Sequence, residues 1–95
     1  MSYDEVLNEL SAGKAGSGLP CAEVRRLLEE LGFHVRDGAN AGHKIVTHPK
    51  LSDFRSAAYN CQGGNGVVNR HYLGVLIRVI RMHKDGIKEY LGENG

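Results

Sequence analysis

Residues 41–49, AGHKIVTHP, hold two histidines five positions apart, His43 and His48, with Lys44 directly after the first. Three chemistries could use such a pair: metal ligation, hydrogen bonding in a buried setting, or proton transfer at a basic surface. The segment reads as a strand over residues 43–48. Alternation then sets His43, Ile45 and Thr47 on one face and Lys44, Val46 and His48 on the other. Two ligands of one zinc ion must converge to about 2 Å from it, so this parity argues against a metal site, and no metal or other cofactor is expected. Proton transfer remains open to His43, because imidazole with its ordinary pKa of about 6.5 exchanges protons near neutral pH. Gly42 beside it has no side chain to keep a polyanion's backbone at a distance. His48, before Pro49, reads as a strand-end hydrogen-bonding residue, and His34 and His83 read as surface or edge positions.

The elements that must position His43 follow from periodicity. Ser2 with Glu5 three residues on forms a capping-box pattern ahead of apolar Val6, Leu7 and Leu10, which predicts a first short helix over residues 1–12. Residues 13–19, rich in Gly and Ser, read as a flexible connector that leaves this helix free of the core. In CAEVRRLLEELGF, Val24, Leu27, Leu28 and Leu31 make one apolar stripe, with Gly32 placed to end the helix. Two strands follow, over residues 33–36 and 43–48, joined by a turn in which DG and AN supply residues tolerant of positive φ. Residues 54–62 suggest a third strand, and GGNGVV reads as a plain loop, since no GK[ST] accompanies its glycines. Asn69 is a good N-cap for a helix to about Lys84, with Leu73, Leu76, Ile77 and Ile80 on its core face and Gly86 breaking it before a short coda. Arg78, Arg81 and Lys84 form a basic stripe on another face, for which a solvated surface is the plain alternative.

This order predicts a single α+β domain over residues 1–95, with a three-stranded antiparallel sheet carrying its helices on one face and an extra N-terminal helix before a core at residues 20–91. The net charge is +1, but its distribution is uneven. Residues 1–42 hold four Lys/Arg against seven Asp/Glu, whereas residues 43–88 hold eight against Asp53 and Asp85 alone. A basic second half suits a polyanionic partner. Cys21 and Cys61 belong to no CxxC motif and read as two reduced thiols. The N-terminus has no continuous apolar run, so a soluble cytoplasmic protein without a membrane partner is expected.

The run RRLLEELGF, a hairpin, AGHKIVTHP, a strand and a final helix together resemble the HicA toxins, small bacterial ribonucleases of type II toxin–antitoxin systems. The similarity covers residues 21–83, and YDEVLNELSAGK resembles the helix that precedes the core in some members. Asn40 and Ala41 depart from the family's turn, and YNCQGGNGVVNRHYL lacks the lysine and proline of its loop. The resemblance implies a fold like the double-stranded-RNA-binding domain, metal-independent cleavage of mRNA with His43 as general base, and neutralisation by a HicB-type antitoxin. On this reading Gly42 and Lys44, together with Arg70 and His71 at the last helix's N-terminus and Arg78 and Arg81 along it, are the expected RNA-binding residues. Two other readings stand beside it: a non-catalytic RNA-binding module of the same fold, and a protein-interaction domain that docks a partner through its first helix.

Overall fold

The computed structural model of the chain describes residues 1–61 and 66–93. Its elements are α1 (Tyr3–Ala15), β1 (Leu19–Pro20), α2 (Cys21–Glu30), β2 (His34–Asp37), β3 (His43–Thr47), β4 (Ala57–Asn60), β5 (Val67–Val68), α3 (Arg70–Met82) and α4 (Lys84–Leu91). The fold is mixed α+β, and the helix–three strands–helix order α2–β2–β3–β4–α3 is the one its periodicity predicts.

Strands β2, β3 and β4 pair antiparallel in that order. The register sets Val35 opposite Val46 and Val46 opposite Ala57, Asp37 opposite Lys44, and His43 opposite Asn60. Directly paired residues share a face. One face therefore carries Val35, Val46 and Tyr59, all buried beneath the helices. The other carries His34, Arg36, His43, Ile45, Thr47, Ala58 and Asn60, none of them buried. The apolar stripes of α2 (Val24, Leu27, Leu28) and α3 (Leu73, Leu76, Ile77, Ile80) close over the inner face as expected, joined by Leu31 and Phe33. The Tyr59 hydroxyl finds no hydrogen-bond partner among the described residues, and burial pushes its pKa up to about 12, so it stays protonated.

The first helix is not free of the core. Its capping box forms, with Ser2 and Glu5 each bonding the other's backbone N–H. Tyr3, Val6 and Leu10 are then buried against the rest of the fold, and the Tyr3 hydroxyl donates to the Ile80 carbonyl at 3.2 Å. The helix also runs three residues beyond its expected end, to Ala15. The expected connector at residues 13–19 is likewise structured, because its glycines serve close approach. A Cβ on Gly13 would overlap the Leu19 side chain, and Gly18 holds φ +108° where a Cβ would press on the Val68 carbonyl. Leu19–Pro20 pairs antiparallel with Val67–Val68, so part of the expected loop GGNGVV is strand; residues 63–65 of it lie outside the described residues.

Two further expectations are corrected. The last helix breaks at His83, and Gly86 lies inside α4, where its bare Cα admits the Leu51 side chain. Cys21 and Cys61, read as free thiols, form a disulfide with their Cα atoms 5.6 Å apart, tying the start of α2 to the end of β4. Sequence separation hid this pairing: only the fold sets Cys21, directly after β1, beside Cys61, directly after β4. Among the described residues no helix is long and apolar enough to cross a membrane.

His48 is 6% exposed. Its Nε2–H donates to the Leu31 carbonyl at 2.9 Å, its Nδ1 accepts the Lys50 N–H at 3.1 Å, and Phe33 and Tyr90 meet its ring edge to face. This bears out the strand-end hydrogen-bonding reading and commits the ring to its neutral form, with burial holding its pKa below the ordinary 6.5. His83 is less exposed than expected: its side chain is 9% exposed, packs on Phe54 and sits 3.5 Å from the Asp53 carboxylate.

Two outcomes follow. Reducing the disulfide releases a loop with a sequence separation of 40 and should lower stability by about 2–4 kcal/mol in urea titrations with and without reductant. Because the unfolded chain binds a proton at His48 more readily than the folded one, its contribution to stability is complete above pH 6.5 and declines as pH falls below that value toward its depressed native pKa. A series of melting curves should show this decline, and His48→Gln should flatten it.

Candidate active site

The β2–β3 turn ends on Gly42, whose φ of +83° is open to glycine, and a Cβ there would overlap the Cys61 carbonyl. Among described turn residues 38–42 only Gly42 has positive φ, so DG and AN do not supply it. The Gly42 carbonyl accepts the Cys61 N–H at 2.8 Å. Gly42 therefore faces β4 and fixes where β3 begins; this close approach, more than room for a ligand, accounts for the glycine.

His43 follows, on the uncovered face at the end of the sheet. Its main chain is held twice, by Asn40 O accepting its N–H at 3.1 Å and by its own carbonyl accepting from Gly38 at 2.8 Å. Its Nδ1 lies 3.3 Å from Asn60 Oδ1, and Asn60 Nδ2 donates to the Tyr72 hydroxyl at 3.1 Å. With the amide placed so, Nδ1 carries the ring proton and Nε2 presents a lone pair. The Asn69 side chain accepts the Tyr72 N–H at 3.0 Å, capping α3 and fixing the residue at the far end of this chain. The imidazole is thus oriented by groups from β4 and from the first turn of α3.

The uncovered face around His43 sinks into a shallow depression of about 620 Å³ lined by Arg36, Ile45, Thr47, Arg55, Ser56, Ala57 and Ala58 with His43 itself. Arg36 and Arg55 bring positive charge to the histidine's own face, and neither forms an ion pair among the described residues. Sequence reasoning missed both, along with Asn60 and Tyr72. Register could have found Arg36: it shares the parity of His43 once the two strands are paired. Arg55 precedes β4, and Asn60 and Tyr72 become neighbours of His43 only through the tertiary fold.

The other expected site residues are distributed differently. Lys44 points to the opposite face and pairs with Asp37 directly across the strands, a contact that also holds the Asp37 carboxyl below the usual carboxylate range. The Arg70 guanidinium donates to the Lys14 carbonyl at 2.9 Å, at the end of α1. His71 stays close to the site, its ring edge to face with Tyr72 at 5.3 Å between centroids. Arg78 and Arg81 line a groove between α1 and α3 that shares no residue with the depression at His43. His43 and His48 do lie on opposite faces, and no cluster of three or more metal-ligating side chains occurs among the described residues.

No protein-family profile matches the chain, and neither a curated protein nor a solved structure matches it at a significant level.

The glycine at position 38 sets the place of the imidazole, because a Cβ there would overlap the ring at Cδ2. Gly38→Ala should swing His43 off Asn60 while leaving the sheet intact. Proton–nitrogen spectra should then show displaced His43 ring and Asn60 side-chain amide signals with an unchanged far-ultraviolet spectrum.

Proposed function

We propose that the chain is a metal-independent endoribonuclease of the HicA kind, with His43 as its general base and a HicB-type antitoxin as its inhibitor. The observation that carries the reading is the His43–Asn60–Tyr72 chain beside two arginines that form no ion pair among the described residues, on an uncovered sheet face. RNA supplies its own nucleophile, the 2′-hydroxyl next to the scissile phosphate, so one base suffices to start cleavage. The Nε2 lone pair takes the hydroxyl proton as the 2′-oxygen bonds to phosphorus and the bond to the 5′-oxygen breaks; the 5′-oxygen takes its proton from solvent, and the Asn60 carbonyl oxygen keeps the opposite nitrogen's hydrogen bond as the ring becomes positive. Charge building on the phosphate oxygens is met by Arg36 and Arg55, which no carboxylate neutralises within 4 Å among the described residues. Arg36 and Arg55 replace Lys44, Arg78 and Arg81 as the cations of this site, while His71 remains at its edge.

A second reading, RNA binding without cleavage, is favoured by one feature. Asn60 is neutral, so the imidazolium formed in the reaction lacks the stabilisation that a carboxylate in that position would provide. With one base contributing about a hundredfold to ten-thousandfold, a slow enzyme is expected.

The test is incubation of the purified chain with an mRNA transcript in the presence of EDTA. Wild type should cut it, leaving cyclic phosphate ends, and His43→Ala should lower the rate about 10²- to 10⁴-fold with an unchanged melting temperature. Equal cleavage by the variant would remove His43 from catalysis. RNA retention in gel-shift experiments without any cleavage would select the binding module.

A further inference from the structure

We infer that the groove between α1 and α3 is a docking site for an acidic, amphipathic segment of a partner protein. The groove, of about 510 Å³, is lined by Lys14 from α1 and by Gly74, Ile77, Arg78, Arg81 and Met82 from α3. Its cations are brought together by packing between two helices. The Lys14 stem crosses Gly74 closely enough that a Cβ there would lie 3.4 Å from Cε and 3.6 Å from Nζ. This lays the ammonium along α3 on the same side as Arg78, and Arg70 joins from one end through its bond to the Lys14 carbonyl.

Two observations point to a partner. Arg25, Arg26 and Lys44 each pair with a carboxylate, whereas Lys14, Arg78 and Arg81 have none within 4 Å among the described residues. The cations of the groove are therefore available to an incoming anion. The apolar surface beside them is that of Met82, 71% exposed, at the edge of the groove, whose floor is closed by the buried Ile77. Methionine in that position adapts to varied apolar partners.

The chemistry favours a peptide over a nucleic acid. Single-stranded RNA is held by aromatic side chains on which bases stack, and the groove lining contains none. Arg78 and Arg81 lie about one helical turn apart, with Lys14 across from them. This spacing suits glutamates one turn apart on a helix whose leucines meet the exposed Met82. The inference is independent of the nuclease reading, since no groove residue lines the depression at His43.

The test is a nuclear magnetic resonance titration of the ¹⁵N-labelled full chain with a helical peptide carrying glutamates at i and i+4 and leucines between them. The amides of Lys14, Gly74, Ile77, Arg78, Arg81 and Met82 should shift. Replacing the glutamates with glutamines should weaken binding at least tenfold. So should Arg78→Glu with Arg81→Glu, and separately Lys14→Glu on the other helix, each checked for an unchanged melting temperature. The inference is overturned if the acidic peptide leaves these amides unmoved, if its shifts map to Arg36 and Arg55, or if the charge-reversed chains bind equally well. Shifts of the same groove amides by a single-stranded oligouridylate, with none from the peptide, would assign the groove to nucleic acid and overturn it too.

Discussion

Helix α3 is the constraint on which the rest of the molecule depends. Leu73, Leu76, Ile77 and Ile80 are buried, and the helix meets both α1 and β4, so a single apolar stripe joins the N-terminal helix to the sheet. Truncating one such side chain to alanine typically costs about 2–5 kcal/mol, a large part of what stabilises a domain of this size. The same placement sets both surfaces of interest. The first turn of α3 brings Tyr72 to Asn60 and so to His43, while its outer ridge carries Arg78 and Arg81 toward Lys14.

The sheet contributes the complementary constraint. Gly42, held against the Cys61 backbone, fixes the end of the β3–β4 register and places His43 opposite Asn60. The Cys21–Cys61 disulfide closes the same corner, so that the residue after Asn60 is tied covalently to α2. His43 thus sits where a hairpin turn, a strand end and a helix N-terminus are anchored to one another. Such anchoring from several elements is what keeps a side chain in one geometry.

Much of this was legible in the sequence. The helix stripes around Leu27 and Leu76, the Ser2–Glu5 capping box, the Asn69 cap and the opposite orientations of His43 and His48 all follow from local periodicity, which depends on neighbours a few residues away. What was not legible depends on contacts distant along the chain. Gly13, Gly18 and Gly86 read as flexibility or breaks, yet each leaves room for a neighbour: Leu19, Val68 and Leu51. Cys21 and Cys61 carry no local signal of pairing. The resemblance to HicA toxins points to His43, but the residues that surround it, Asn60, Tyr72, Arg36 and Arg55, are set there by strand register and helix packing.

The proposed ribonuclease activity depends on His43 acting as its base, oriented by Asn60 and Tyr72. Its most direct measurement is transcript integrity in a bacterial host after induction of the wild-type chain or His43→Ala, with both proteins confirmed to accumulate in folded form. Loss of full-length mRNA and growth arrest are expected with the wild type, and intact transcripts with the variant. Transcripts that survive both inductions, or are lost in both, would contradict it.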